Sequence, residues 1–292
     1  MVTAVSMGRV QGPRSPAQRW GFSILESLEA KVNGYLHGNA RSRAVNEACG
    51  PFHIGFDAGN AHPFMNYAVP EADAVVTPED IEALLEAFAK RERIPRLEFA
   101  PGGAPGVEEA LLAAGFEVQQ RLPFMVVTSA ELDGPAALDG IEVKVLDKSA
   151  TDEELRGVAL AQQEAFGERA GESLADADLS SEVAGLREMV NAGRFTVLAR
   201  GAAGSAHAGV AMAGGGCGPA IAGTTEIGGI GTRPAFRRRG AGAAVTAALS
   251  RHLLEVAALD CVWLSPAGPD QERLYSTIGY RSLGEMLFIW KP

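Results

Sequence analysis

The stretch GTRPAFRRRGAGAAVTAALS, residues 231–250, decides how this chain is read. Arg237, Arg238 and Arg239 run into Gly240 and Gly242 at the mouth of a segment that reads as a long helix. The first turn of a helix exposes N–H groups that have no intrahelical acceptor, and the macrodipole adds partial positive charge there. Glycines at that turn omit Cβ atoms and let a diphosphate approach the main chain, while arginines supply forked donors for phosphate oxygens. The stretch therefore reads as an anion socket. It holds neither the GxxxxGK[ST] of a P-loop nor the GxGxxG of a dinucleotide turn.

The rest of the chain gives that cationic patch its weight. Among 292 residues there are 36 Asp and Glu against 26 Lys and Arg, a formal charge of −10. Such a balance disfavours nucleic acid or an anionic membrane as partner, so a local run of arginines is informative. Cys49, Cys217 and Cys261 lie far apart without a CxxC pair, which argues against a disulfide framework or a zinc ribbon and fits a reducing cytoplasm. No apolar run approaches the roughly 18 to 20 residues that span a bilayer, and the N-terminus lacks the long apolar stretch of a secretory signal. The five histidines show no HExxH or comparable spacing, so no metal is expected.

Periodicity supplies the organisation. Residues 1 to 20 read as a loose arm, followed by a helix that Ser23 and Glu26 would cap, with Phe22, Leu25, Leu28, Val32 and Leu36 on its buried face. FHIGFDAG and FMNYAVP read as strands, and TPEDIEALLEAFAKRE as a helix with Thr77 as cap and Pro78 in its first turn. SAELDGPAALDG, residues 129–140, reads as a linker. Beyond it come a strand (IEVKVLD), two amphipathic helices, the strands RFTVLARG, HAGVAMAG and TTEIGGIGT, the helix from about Gly240, and then strand, short helix and strand to the end. The glycine-rich AGGGCGPAIAG, residues 213–223, reads as a flexible hairpin near the acceptor side. A mixed sheet flanked by helices, an α/β fold, is the expected architecture.

An internal repeat lies within this order. RLEFAPGGAPGVEEALLAAGFEVQQRLPFMVV and CVWLSPAGPDQERLYSTIGYRSLGEMLFIWKP each run strand, Pro, Gly-rich turn, short helix, Gly-aromatic, strand. The division that follows is an N-terminal arm and helix (1–40), a first copy (41–134) and a second copy (139–292). Tyr275 stands four residues before Gly279, where the first copy has Leu111 before Gly115, and only the second copy carries the Arg-Gly turn.

The turn Arg237-Arg238-Arg239-Gly240-Ala241-Gly242 resembles the [QR]-x-x-G-x-[GA] signature of the GNAT superfamily of N-acyltransferases. TEIGGIGTRPAF before it looks like that family's fourth strand and its exit, and LYSTIGY after it is similar to the family's LYxxxGF. The resemblance covers roughly residues 140 to 292, and through the repeat it extends to a tandem of two GNAT-like halves, the first degenerate. It implies acyl-coenzyme A, with acetyl-coenzyme A the expected donor, its pyrophosphate on the amides of about residues 238 to 243, with Arg237, Arg238, Arg239, Gly240, Ala241, Gly242 and Ala243 forming the socket. It also implies that the pantetheine arm pairs with the strand at Ile230, Gly231 and Thr232. Tyr275 would protonate the leaving thiolate as the family tyrosine does, and Glu226, on the strand beside the thioester, is the candidate base for direct attack by an amine. Where many members carry an Asn, this chain has Gly268, so that cofactor contact is in doubt. Cys217 reads as a bystander. The acceptor is a small-molecule or peptide amine. Acidic helices at residues 151–182 favour a cationic one. The protein is expected as monomer or homodimer in the cytoplasm. The competing readings are a non-catalytic acyl-coenzyme A sensor and an interaction module with an empty socket.

Overall fold

The computed structural model describes residues 22–135, 138–167 and 178–292; the expected arm at residues 1–20 and part of the acidic stretch, residues 168–177, lie outside them. The first half runs α1 (Phe22–Arg41), β1 (Val45–Cys49), β2 (Phe52–Phe56), β3 (Tyr67–Pro70), α2 (Pro78–Ala89), β4 (Arg96–Phe99), α3 (Val107–Ala113) and β5 (Glu117–Val127). The second runs β6 (Ile141–Leu146), α4 (Asp152–Phe166), α5 (Ser180–Asn191), β7 (Thr196–Gly201), β8 (Ala211–Cys217), β9 (Ile227–Thr232), α6 (Ala241–Arg251), β10 (Val262–Leu264), α7 (Pro269–Thr277) and β11 (Arg281–Trp290). Helix α1 is already under way at Phe22; the Ser23 and Glu26 side chains, expected as its cap, lie outside the described ones.

One sheet has the order β1-β2-β3-β4-β11-β5-β10 and the other β6-β7-β8-β9. The two are joined at a single parallel bridge, Glu226 to Trp263, with the Trp263 amide donating to Thr225 O at 3.1 Å. Past that point β9 and β10 diverge. The first half repeats the device, since β3 and β4 share one parallel pair, Ala68 with Leu97. The repeat is also visible bond for bond after the short helices. Phe116 N donates to Leu111 O (3.0 Å) as Tyr280 N donates to Tyr275 O (3.1 Å), and the intervening Gly115 and Gly279 are both left-handed.

The last strands of the two halves are exchanged. In the order β4-β11-β5-β10, β11 from the end of the chain lies between β4 and β5, and β5 lies between β11 and β10. Alternation along these strands sorts side chains to two faces. Leu97, Phe99, Leu287 and Ile289 fill a core with Leu84, Phe88 and Leu111 from α2 and α3, and Met125, Val127, Val262 and Leu264 fill another with Val245, Leu249 and Tyr275 from α6 and α7. The opposite face, with Phe124, Val126, Trp263, Met286 and Tyr67, is covered by Leu28, Val32, Tyr35 and Leu36 of α1. One helix thus spans both halves.

One expectation is overturned here. The glycines at 214–216 belong to β8, a buried interior strand between β7 and β9, and not to a flexible turn; the hairpin turn that joins β8 to β9 starts beyond them, with Ile221 and Thr224 bridged across it. The reason is close packing: a Cβ on Gly214 would come within 3.1 Å of Val158 Cα on α4, and one on Gly215 within 2.3 Å of Ile230 Cδ1. Strand HAGVAMAG accordingly starts later than its pattern suggests, at Ala211. The linker, apart from residues 136–137, is packed rather than free, with Asp133 N donating to Ile278 O at 3.1 Å and Arg251 to Gly134 O at 3.4 Å.

Candidate active site

The divergence of β9 from β10 leaves one main-chain edge of β9, from Ile227 to Thr232, without a strand neighbour among the described residues. On its other edge the register with β8 slips between Gly214–Gly231 and Gly216–Gly228, so β9 carries an extra residue, and Gly229 is left-handed there (φ 63°). A bulge of this kind interrupts the ladder and re-aims the strand. Ile230, Gly231 and Thr232 sit along the edge beyond it, and the chain then turns through Pro234–Phe236 into the arginine run.

At the end of that turn α6 begins with its N-terminus bare. Its N-cap is Gly240 (φ 81°), no side chain caps it, and its first turn holds no acidic residue. After Arg237, whose amide donates to Pro234 O, the next main-chain donor with a recorded acceptor among the described residues is Ala244, bonded to Gly240 O at 3.0 Å. The amides of Arg238 to Ala243 are left over. Arg238 is itself left-handed (φ 65°), so two left-handed residues, Arg238 and Gly240, bracket Arg239. Arg238 and Arg239 are exposed; Arg237 is folded back, its guanidinium donating to Thr232 O and Ala165 O at 3.3 Å each. Arg233 is held differently, by Glu164 with two contacts of 2.9 Å, and buttresses Phe236.

The corresponding helix of the first half is closed. Thr77 and Asp80 form a reciprocal capping box on α2, Pro78 removes one donor, and Glu79 and Asp80 place negative charge in the first turn. The mouth of the β3/β4 divergence is filled by Asn33 and His37 of α1, leaving a cavity of about 20 Å³, room for one water.

Residues 216–289, which span the turn, α6, α7 and β11, match the family model described as FR47-like protein. A GCN5-related N-acetyltransferase from Kribbella flavida superposes with a TM-score of 0.70 at 24% identity, over 92% of this chain and 96% of that one. The fold is that of the GCN5-related N-acetyltransferases. A tandem GNAT protein from the clavulanic acid biosynthesis pathway is similar over 91% of this chain and 94% of that one (TM-score 0.54, 13% identity). An N-acetyltransferase of the same kind from Sphaerobacter thermophilus is similar over 82% and 76% (TM-score 0.54, 15% identity). A search of curated proteins finds no match to the chain. The resemblance read from the arginine turn and the mixed α/β architecture are both borne out at the level of this GNAT fold.

Within the GNAT fold the two candidate catalytic side chains lie on opposite faces of the sheet. Tyr275 on α7 is packed with Tyr280 (ring centroids 6.0 Å apart) in the core that also holds Ile227, Ala241 and Val245. Burial pushes its phenol up to about 12. Glu226 lies at the head of β9, on the face of its bridge partner Trp263, below Tyr35 of α1. Its carboxyl is hemmed in by protein while keeping a half-buried surface, and it has no recorded hydrogen-bond partner among the described residues. Desolvation, reinforced by the carboxylate of Glu98, pushes it up to about 8. Gly268, the N-cap of α7, is extended and offers no side-chain contact. The Cys217 thiol is buried, accepts from Phe195 N at 3.4 Å and is pushed up by burial, which suits a packing role. Among the described residues no group of three or more His, Cys, Asp or Glu could hold a metal, and no helix is long and apolar enough to cross a membrane.

Sequence reasoning did not find Glu98. It sits on β4 in the first half, and only the exchange of β11 and β5 brings that strand into one sheet with β10. Nor did it find Tyr35 and Tyr67, which look onto the same face.

Proposed function

We propose that the protein transfers an acyl group, with acetyl as the expected one, from coenzyme A to a primary amine. The observation that carries this reading is the contrast between two equivalent helices, α2 self-capped and acidic, α6 bare, glycine-capped and flanked by exposed arginines. The amides of residues 238 to 243, with Arg238 and Arg239, would hold the diphosphate. The open edge at Ile230, Gly231 and Thr232 would pair with the amides of the pantetheine arm, as an added strand would. The acyl donor then reaches the bulge at Gly229, where main-chain N–H groups can face the carbonyl oxygen as it gains charge.

The acceptor arrives as an ammonium. Glu226 takes its proton, directly or through water, and the freed lone pair attacks the thioester carbon. The C–N bond forms, the C–S bond breaks, and the electron pair leaves with sulfur. Tyr275 donates a hydrogen bond to that sulfur. A thiol near 8.5 and a phenol near 12 make complete proton transfer uphill by about 3 to 4 pK units, roughly 5 kcal/mol, so the hydroxyl stabilises the thiolate mainly as a donor. The protein would act on its own, without metal, in the cytoplasm.

Calorimetric titration with coenzyme A tests the socket, and release of free thiol from acetyl-coenzyme A in the presence of amines tests transfer. Absence of binding at millimolar ligand would sink the reading. Binding without turnover of any amine would favour the sensor instead.

A further inference from the structure

The first half of the chain lends a side chain to the candidate base of the second. Glu226 is the middle of three residues laid side by side across the sheet. On one side Gly218, one step past the β8–β9 pair Cys217–Ile227, donates its amide to Glu226 O at 2.9 Å; on the other stands its bridge partner Trp263. Residues paired in this way direct their side chains to the same face, here the one that α1 covers. Neighbouring strands lie about 4.8 Å apart, so the outer two positions of the row are roughly 10 Å from each other.

Tyr35 of α1 reaches both ends of that row. Its ring meets the Trp263 indole edge-on, with centroids 5.4 Å apart and planes at 76°. Its hydroxyl occupies the space that a Cβ on Gly218 would fill, and its Cζ is 3.2 Å from that point. A phenol that touches Trp263 and ends on Gly218 crosses the position between them, which is Glu226. Tyr35 is 2% exposed and packed among Leu28, Val32, Leu36 and Tyr67, so the surrounding core holds its ring in place. The other ionisable groups about Glu226 come from different elements. Glu98 on β4 adds a negative charge and is itself held by Arg96, with Arg43 also acting on it. Tyr67 on β3, pushed up to about 12, and Cys217 on β8, pushed up by burial, stay protonated at neutral pH, as does Tyr35.

We infer that Tyr35 is a positioning residue for Glu226, a ring supplied by the first half that shuts bulk water out from the carboxyl at the fork of β9 and β10. Removal of water is the largest cause of that carboxyl's high titration point, and a base works best when it titrates near the working pH. Glycine at 218 belongs to the same device, since it leaves room for the end of the phenol. The inference rests on the transfer reading for calling Glu226 a base, while the contact of Tyr35 with the row does not. It gives the half without a bare helix mouth a part in the chemistry.

The test follows Glu226 in the resting full-length protein by infrared spectroscopy against pH, using the protonated-carboxyl band that Glu226→Gln removes. In the unaltered protein this band should fade near the titration point of about 8. Gly218→Ala sets a methyl group against the phenol oxygen and should drive the ring off, so that the band fades at least about one pH unit lower. Tyr35→Phe in the Gly218→Ala background removes that oxygen and should bring the titration back to about 8. Tyr35→Leu, which keeps an apolar side chain but no ring, should lower it as Gly218→Ala does. If only one of these two single variants folds, it decides alone. A Gly218→Ala protein that titrates as the unaltered one does, or a double variant that stays low, overturns the inference. So does a Tyr35→Leu protein with a lowered Tm and an unmoved titration, the result of a merely structural role. Where acetyl-coenzyme A is turned over, the rising limb of kcat/KM should shift with the band in Gly218→Ala. A band that shifts in a protein that acetylates no amine leaves Tyr35 standing and rejects the transfer reading.

Discussion

Among the described residues Glu226 has no basic neighbour that lowers its pKa, only burial and another acid that raise it, and this fixes the direction of two pH effects. Its carboxyl titrates near 8, above an ordinary glutamate, so the folded protein keeps a proton there that the unfolded chain loses at about 4.5. The stability linked to this proton is present below the unfolded value and is lost as pH rises through about 8. Glu226→Gln should therefore flatten the fall of Tm between pH 6 and 9 measured by calorimetry; an unchanged slope would place the group elsewhere in the titration. As a base Glu226 works only when ionised, so kcat/KM should rise through about pH 8, and Glu226→Gln should remove that limb and lower the rate by about 100-fold or more. Tyr275 stays a phenol throughout this range. Tyr275→Phe is expected to lower kcat by about 10- to 100-fold with coenzyme A affinity unchanged; a loss confined to KM would reassign it to binding.

At the scale of elements, the two halves differ most in how a strand hands over to a helix. Thr77→Ala should destabilise α2 by about 1 kcal/mol in chemical denaturation, the usual worth of such a cap, and leave coenzyme A affinity untouched. Gly242→Val should do the reverse. Its Cβ would come within 3.2 Å of Thr232 Oγ1, and the branched side chain would stand over the amides, so coenzyme A affinity should drop at least about tenfold by calorimetry. Helix α6 was legible because Gly240 stops the preceding turn and small residues then repeat along one face. α7 was legible from its position before Gly-aromatic. β8 was legible only in its first part, because a run of glycines signals a turn, and only the approach of α4 to within contact of Gly214 explains the strand's continuation to Cys217. The candidate socket could be read from sequence because its residues, Ile230 to Ala243, are contiguous, whereas Tyr35 and Tyr67 come together with Trp263 only through the fold.

At the scale of the molecule, strand exchange makes the boundary near residues 134–139 a seam in sequence and not in space. Neither half contains the strand that completes its own sheet, since β4 is flanked by β11 and β10 by β5. Residues 139–292 produced alone should lack a cooperative thermal transition, read by near-ultraviolet circular dichroism, and should regain one on mixing with residues 1–134. A cooperative transition in the isolated fragment would contradict the exchange. Nothing local announces such an arrangement. β5 and β11 have the alternation of any half-buried strand, and the choice of neighbour is made by the fit of both halves under α1.

A ribosome delivers Arg96 and Glu117 long before Trp290, the residue that pairs with both. The N-terminal lobe must therefore wait, with the gap between β4 and β5 open, until β11 has been made. Closure then couples lobes whose partners lie nearly two hundred positions apart, a slow event by the logic of loop entropy. A product that stops short of β11 would leave open the edges of β4 and β5 with which that strand pairs.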